Sequence, residues 1–128
     1  MVKYNVNVIT SFVFLIPAMF SLYYGIYWHF FIILISTTLS VLYHSSKEKD
    51  FKKLDRFFAT FLIISNFYLL YLSGFPLSFT ISAAFFIFVG FYFLFKSKKI
   101  NYALNHSLWH FSSAIVTLLC ALAYSKIS

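Results

Sequence analysis

The sequence predicts an all-α protein, a polytopic bundle of about five transmembrane helices. Three observations predict it. The 128-residue chain is 62% hydrophobic and 10% charged, with a mean hydropathy of +0.86. Soluble domains are usually about a quarter charged, so too few polar groups are present to cover a water-facing surface. The charges are also segregated: residues 4–46, 57–95 and 100–125 contain no Lys, Arg, Asp or Glu. A helix crosses the ~30 Å hydrocarbon core with roughly 20 apolar residues and closes its backbone hydrogen bonds internally. A transmembrane barrel would need alternating polarity, which is absent.

The tracts define the elements in order, within a chain whose length suits one domain, 1–128. The first tract has 43 residues, enough for two spans, near 6–24 and 27–45. Gly25 forms the turn between them, with Tyr27 and Trp28 as interfacial aromatics. This stretch follows Lys3, is too long for the apolar region of a signal peptide, and lacks a small-residue cleavage site. It therefore reads as a retained helix. The second tract has 39 residues and fits two spans, near 54–73 and 76–96, broken at Ser73-Gly74-Phe75-Pro76. The third has 26 residues and fits one span, near 100–124. The single cysteine, Cys120, excludes an intrachain disulfide and reads as a small packing residue deep in the last span.

Orientation follows from the basic residues. In a polar protein a net charge of +7 would suggest a nucleic-acid partner; here it is topology information, and no nucleic acid is expected. Five spans put the N-terminus and the 45–54 and 96–100 loops on one side. That side holds Lys3, Lys47, Lys49, Lys52, Lys53, Arg56, Lys96, Lys98 and Lys99, and the other holds Lys126 alone. The positive-inside rule then predicts a cytoplasmic N-terminus and an outward C-terminus. The basic loops also suit anionic headgroups. Short loops lean towards a bacterial inner membrane.

The polar residues left in the spans converge on the basic side. Ser40 and His44 end the second span, Asp55 opens the third, and His106 and His110 lie in the first three turns of the last. Lys and Arg alone set the topology, yet these groups fall at one depth, and intramembrane ionisable residues are functional candidates by default. His106 and His110 are i and i+4, about 40° apart and ~6 Å in rise, so both imidazoles can meet one metal ion. A third nitrogen from His44 would complete a three-histidine zinc site with an open fourth position, the arrangement of catalytic rather than structural zinc. Water in such a site has a pKa of about 7, and Asp55 is the acid placed to hold it or move its proton.

Taken singly, each residue has a bland reading. A histidine pair near a helix end is often interfacial. An Asp opening a helix often meets the helix dipole. Ser40 would bond its own i−4 carbonyl. His29, beside Trp28 at the opposite interface, reads as part of an aromatic belt. Trp109 points about 100° off the histidine face and packs on a neighbour or lines a pocket mouth. Glu48 and Asp50 read as solvated.

The pattern Ser40-Val-Leu-Tyr-His44, Asp55, then His106-Ser-Leu-Trp-His110 resembles the CREST superfamily of membrane hydrolases. That group includes alkaline ceramidases, progestin and adipoQ receptors, and myomaker-like proteins. The resemblance spans about 40–110 and is nearest the myomaker-like and bacterial branches. It implies that His44, His106 and His110 bind zinc, while Ser40 and Asp55 contact the reacting water or carbonyl. Ser40 would donate a hydrogen bond to the oxyanion. The implied reaction is hydrolysis of an amide or ester in a lipid such as a ceramide-like substrate. The family has seven helices and this chain has room for five; a homo-oligomer would supply the missing wall. The alternative from another class is a non-catalytic, zinc-containing receptor-like or lipid-handling protein. An ion channel fits less well, because the polar path does not continue towards the outer face.

Overall fold

Five helices follow one another through residues 5–127, the part of the chain that the computed structural model describes. They are α1 (Val6–Tyr23), α2 (Tyr27–Ser46), α3 (Lys49–Leu72), α4 (Leu77–Ser97) and α5 (Tyr102–Ser125), each long and apolar enough to cross a membrane. Among the described residues there is no strand. Lys3, one of the basic residues counted for orientation, lies outside them.

Local chemistry sets the breaks. The Asn5 side chain caps α1 by accepting from the Asn7 amide. Within α1 the backbone tightens to a 3₁₀ stretch at Phe12–Phe14. Pro17 comes shortly after and lacks the N–H that residue 13 would bond. α1 and α3 end in the same motif. Gly25 and Gly74 both sit at φ +75°, and the next amides reach back, Ile26 N–H to the Ser21 carbonyl (2.8 Å) and Phe75 N–H to Leu70 (2.9 Å). This left-handed cap satisfies orphan carbonyls and favours glycine. α2 ends on a left-handed lysine, Lys47 at φ 60°.

α3 begins at Lys49, five residues before the start that the charge pattern suggests. Lysine, aspartate and leucine are acceptable helix formers, so the charges mark a polarity boundary rather than a helix boundary. Asp50 then occupies the first turn, where a carboxylate complements the dipole. Asp55 is consequently almost two turns inside α3, not at its opening.

α1, α2, α3 and α5 form a square. α1 and α3 each pack directly on both α2 and α5, while α2 and α5 face each other across the diagonal. α4 leans on α5 from outside the square, in the closest pairing of the fold, and does not pack broadly on α3. Gly90 permits the α4–α5 approach, since a Cβ there would lie 3.2 Å from both the Ser112 Cβ and the Trp109 ring. Small residues let membrane helices come close where no hydrophobic force drives them together. Ala83, Cys120 and Ala121 do the same and are fully buried with Leu69.

The exterior is strongly apolar. Tyr23, Leu77 and Phe88 are 75–82% exposed, which suits acyl chains and not water. α5 is the central helix, with 50% of its apolar window buried against 11% for α4. Asn5 donates to the His44 carbonyl, and Asn7 donates to the Ala103 carbonyl. These bonds bring the start of α1, the end of α2 and the start of α5 to one end of the bundle. Every described basic residue except Lys126 is in the connections at that end or in the helix turns that adjoin them.

Candidate metal centre

At the basic end, His44 projects from α2 across the diagonal to His106 and His110 on α5. One ligand nitrogen from each of the three rings lies within 4.8 Å of the others. Ring centroids are 4.8 Å apart for His44–His106, 5.4 Å for His44–His110 and 4.6 Å for His106–His110. Tetrahedral zinc with bonds of 2.0–2.1 Å places its nitrogens about 3.4 Å apart, so a pair at 4.8 Å would close by about 1.4 Å.

The hydrogen bonding of these rings fits a cation. Both ring nitrogens of His44, and Nδ1 of His106, are buried with no hydrogen-bond partner among the described residues. A buried polar atom without a partner is costly, and such atoms usually indicate an ion or water. The third ring is held from behind: His110 Nδ1 lies 2.9 Å from the Thr10 hydroxyl on α1. With Nδ1 as the donor, Nε2 keeps its lone pair free for a ligand. Metal-binding histidines are usually oriented in this way by their second nitrogen. Tyr102 stacks on His106, with centroids 4.8 Å apart and planes at 18°, and Tyr43 lies against His44. Lys47 Nζ sits over both tyrosines, 5.6 and 5.8 Å from their centroids.

Ser40 lines the same cavity as His106 and His110. Its hydroxyl does not return to the i−4 carbonyl but crosses to Ser11 Oγ on α1, 2.7 Å away. Ser11 itself donates to the Asn7 carbonyl at 2.6 Å. Ser40 must therefore donate to Ser11, which leaves its lone pairs for an incoming donor. The expectation that it donates to an oxyanion conflicts with this direction. Asp55 lines the same cavity, half-buried, and no hydrogen bond or ion pair holds its carboxylate among the described residues.

The cavity occupies 1120 Å³. It runs from the histidines along α5, between α3 and α4, to Asn66, Leu70 and Cys120. Trp109 forms part of its wall and packs on Phe91 of α4.

His29 is not part of an interfacial belt. It is fully buried, because Trp28 takes the outward face and the next residue is rotated about 100° inward. Its Nδ1 lies 2.7 Å from Ser21 Oγ and its Nε2 lies 2.9 Å from Asn66 Oδ1. Asn66 donates to Thr117 Oγ1 at 3.0 Å, and Thr117 donates to the Ser113 carbonyl. These directions fix the ring: Nε2 carries the proton and Nδ1 accepts from Ser21. The chain of bonds ties α1, α2, α3 and α5 together.

The polar face of α1 completes the histidine site and was not anticipated. Asn7, Thr10 and Ser11 stand at i, i+3 and i+4 in a span whose only other polar side chain besides Tyr23 is Ser21, and that periodicity is the signal that points to them. Compared with family models, with curated proteins and with solved structures, the chain matches none.

Proposed function

We propose that this protein is a small zinc-dependent membrane hydrolase of the CREST type, cleaving an amide or ester bond in a lipid. The observation that carries the reading is the convergence of His44, His106 and His110, which bring one nitrogen each within 4.8 Å of the others, with nitrogens of His44 and His106 buried and without a partner among the described residues. Three neutral histidines suit zinc and leave a coordination position open. When bound, zinc would polarise a carbonyl and acidify water.

The chain's own groups have separate tasks. His44, His106 and His110 hold the ion, and Thr10 fixes the His110 ring. Hydrolysis adds water across the acyl bond. Its oxygen goes to the carbonyl carbon, the bond to nitrogen or oxygen breaks, and a proton goes to the leaving atom. Asp55 carries that proton, since it faces the cavity with no competing partner. Ser40 accepts a hydrogen bond from the attacking water and so aims it.

Orientation belongs to the same proposal. Charge asymmetry supports a cytoplasmic basic end, with the metal site beneath the inner leaflet of a bacterial inner membrane and α5 ending outside. A non-catalytic zinc protein is the second reading, favoured because, among the described residues, no hydrogen bond joins Asp55 to the histidines.

Metal analysis of the purified protein tests the first step: about one zinc per chain is expected, and none in His106→Ala/His110→Ala. Asp55→Asn separates the two readings. Retained zinc with loss of fatty-acid release from ceramide, acyl-amide and ester lipids supports the enzyme. Metal-loaded wild type that releases no fatty acid from any of them favours the second reading.

A further inference from the structure

The proposed hydrolase leaves its substrate undefined, and the cavity beyond the histidines carries that question further. Its volume of 1120 Å³ is at the upper end for small-molecule pockets. α3 and α4 are not packed together along their length, yet both line it, α3 through Ala59 and Ile63 and α4 through Ile87 and Phe91. The cavity therefore opens sideways into the bilayer as a cleft along α5. From His110 to Cys120 the cleft follows ten residues of α5, about 15 Å of rise. This is about half of the ~30 Å hydrocarbon core, the depth of one leaflet.

The mouth has a different character. Lys52 and Arg56 of α3 and Lys98, just beyond α4, line it at the level of the histidines. Among the described residues, no ion pair engages any of the three. Asp55 is the one acidic side chain lining the same cavity, which leaves two positive charges in excess.

We propose that the cleft binds a lipid carrying a phosphate headgroup, with the phosphate at Lys52, Arg56 and Lys98 and one acyl chain between α3 and α4. Binding stands independently of the hydrolase reading; only cleavage of the bound lipid rests on it. A lipid lying this way passes its headgroup-proximal acyl linkage beside His106 and His110. The charges select an anionic headgroup over a neutral one, and the sideways opening selects a bilayer lipid over a water-soluble phosphate ester.

Equilibrium binding to the full chain in neutral detergent tests this with three probes: a monoacylglycerol phosphate, the monoacylglycerol with the same chain, and inorganic phosphate. The lipid phosphate should bind about 100-fold more tightly than the neutral lipid, from roughly a few-fold to tenfold per basic residue near a phosphate surface. Lys52→Gln/Arg56→Gln/Lys98→Gln should remove that advantage and leave neutral-lipid binding unchanged. Ala59→Trp, which fills the cleft, should weaken both lipids about tenfold or more. Salt should weaken only the lipid phosphate, giving a charge test on the unmutated protein. Equal affinities for both lipids, or no salt dependence, would overturn the proposal. Displacement of the lipid phosphate by equimolar inorganic phosphate would reduce the site to an anion site and overturn its lipid half. His106→Ala/His110→Ala should still bind the lipid phosphate. Binding without turnover by the metal-loaded wild type would defeat the hydrolase reading and leave this one standing.

Discussion

A lone buried histidine, His29, and the cluster of three lie at opposite ends of the same four-helix square, about 22 Å apart along α2. Around His29 every ring nitrogen has a partner and the bonds run in one consistent direction, from Ser21 to the Ser113 carbonyl. Around His44, His106 and His110 three buried nitrogens have none. The contrast separates two uses of an expensive residue in a membrane. A closed network fastens helices; an open one leaves buried nitrogens free for an ion or water.

Substitution should break this contrast in opposite directions. The largest effect is expected from His44→Ala, which should reduce bound metal to background in metal analysis while the helical circular dichroism persists. Removing the ion by chelation tests the same end without mutation. α2 and α5 are not packed together along their length and meet here through the histidine rings, so in the proposed centre a bound ion would tie them together, and Tm should fall with chelator and recover with zinc. At a free zinc level 100 times Kd the shift corresponds to about 2.7 kcal/mol. Acidification should release the ion in the same assay, because protons compete for the imidazole lone pairs and affinity falls as pH falls.

Thr10→Val is expected to weaken zinc about 10–100-fold by freeing the His110 ring, with little change in Tm of the metal-free protein. His29→Ala should do the reverse. It leaves Ser21 and Asn66 without partners, costing about 1–3 kcal/mol in unfolding measurements, and keeps one metal per chain. The smallest effect is expected from Thr117→Val, about 0.6 kcal/mol, typical of one side-chain hydrogen bond between membrane helices. Metal loss in His29→Ala at full helicity would erase the distinction.

Much of this was legible because it is local. Charge-free tracts gave the spans, Gly25 and the Gly74–Pro76 segment gave two turns, and the i, i+4 pair on α5 gave two of the three histidines. Other features depend on distant partners. His29 is held inside by Asn66, 37 residues away in sequence, which is itself bonded to Thr117, and nothing beside Trp28 announces that. The start of α3 was misplaced because lysines leave the membrane without leaving the helix. The Ser40 donor direction is set by Ser11, whose side chain is itself committed to a carbonyl.

The order of synthesis gives the central position of α5 a further consequence. α5 is made after the other four helices, yet Asn7 of α1 and Asn66 of α3 hydrogen-bond to it and His44 of α2 faces it. Until α5 is in place, the two asparagines lack the partners on it that they have in the folded bundle. Two of the three clustered histidines belong to that final helix, so the cluster can assemble only after every other span has been made.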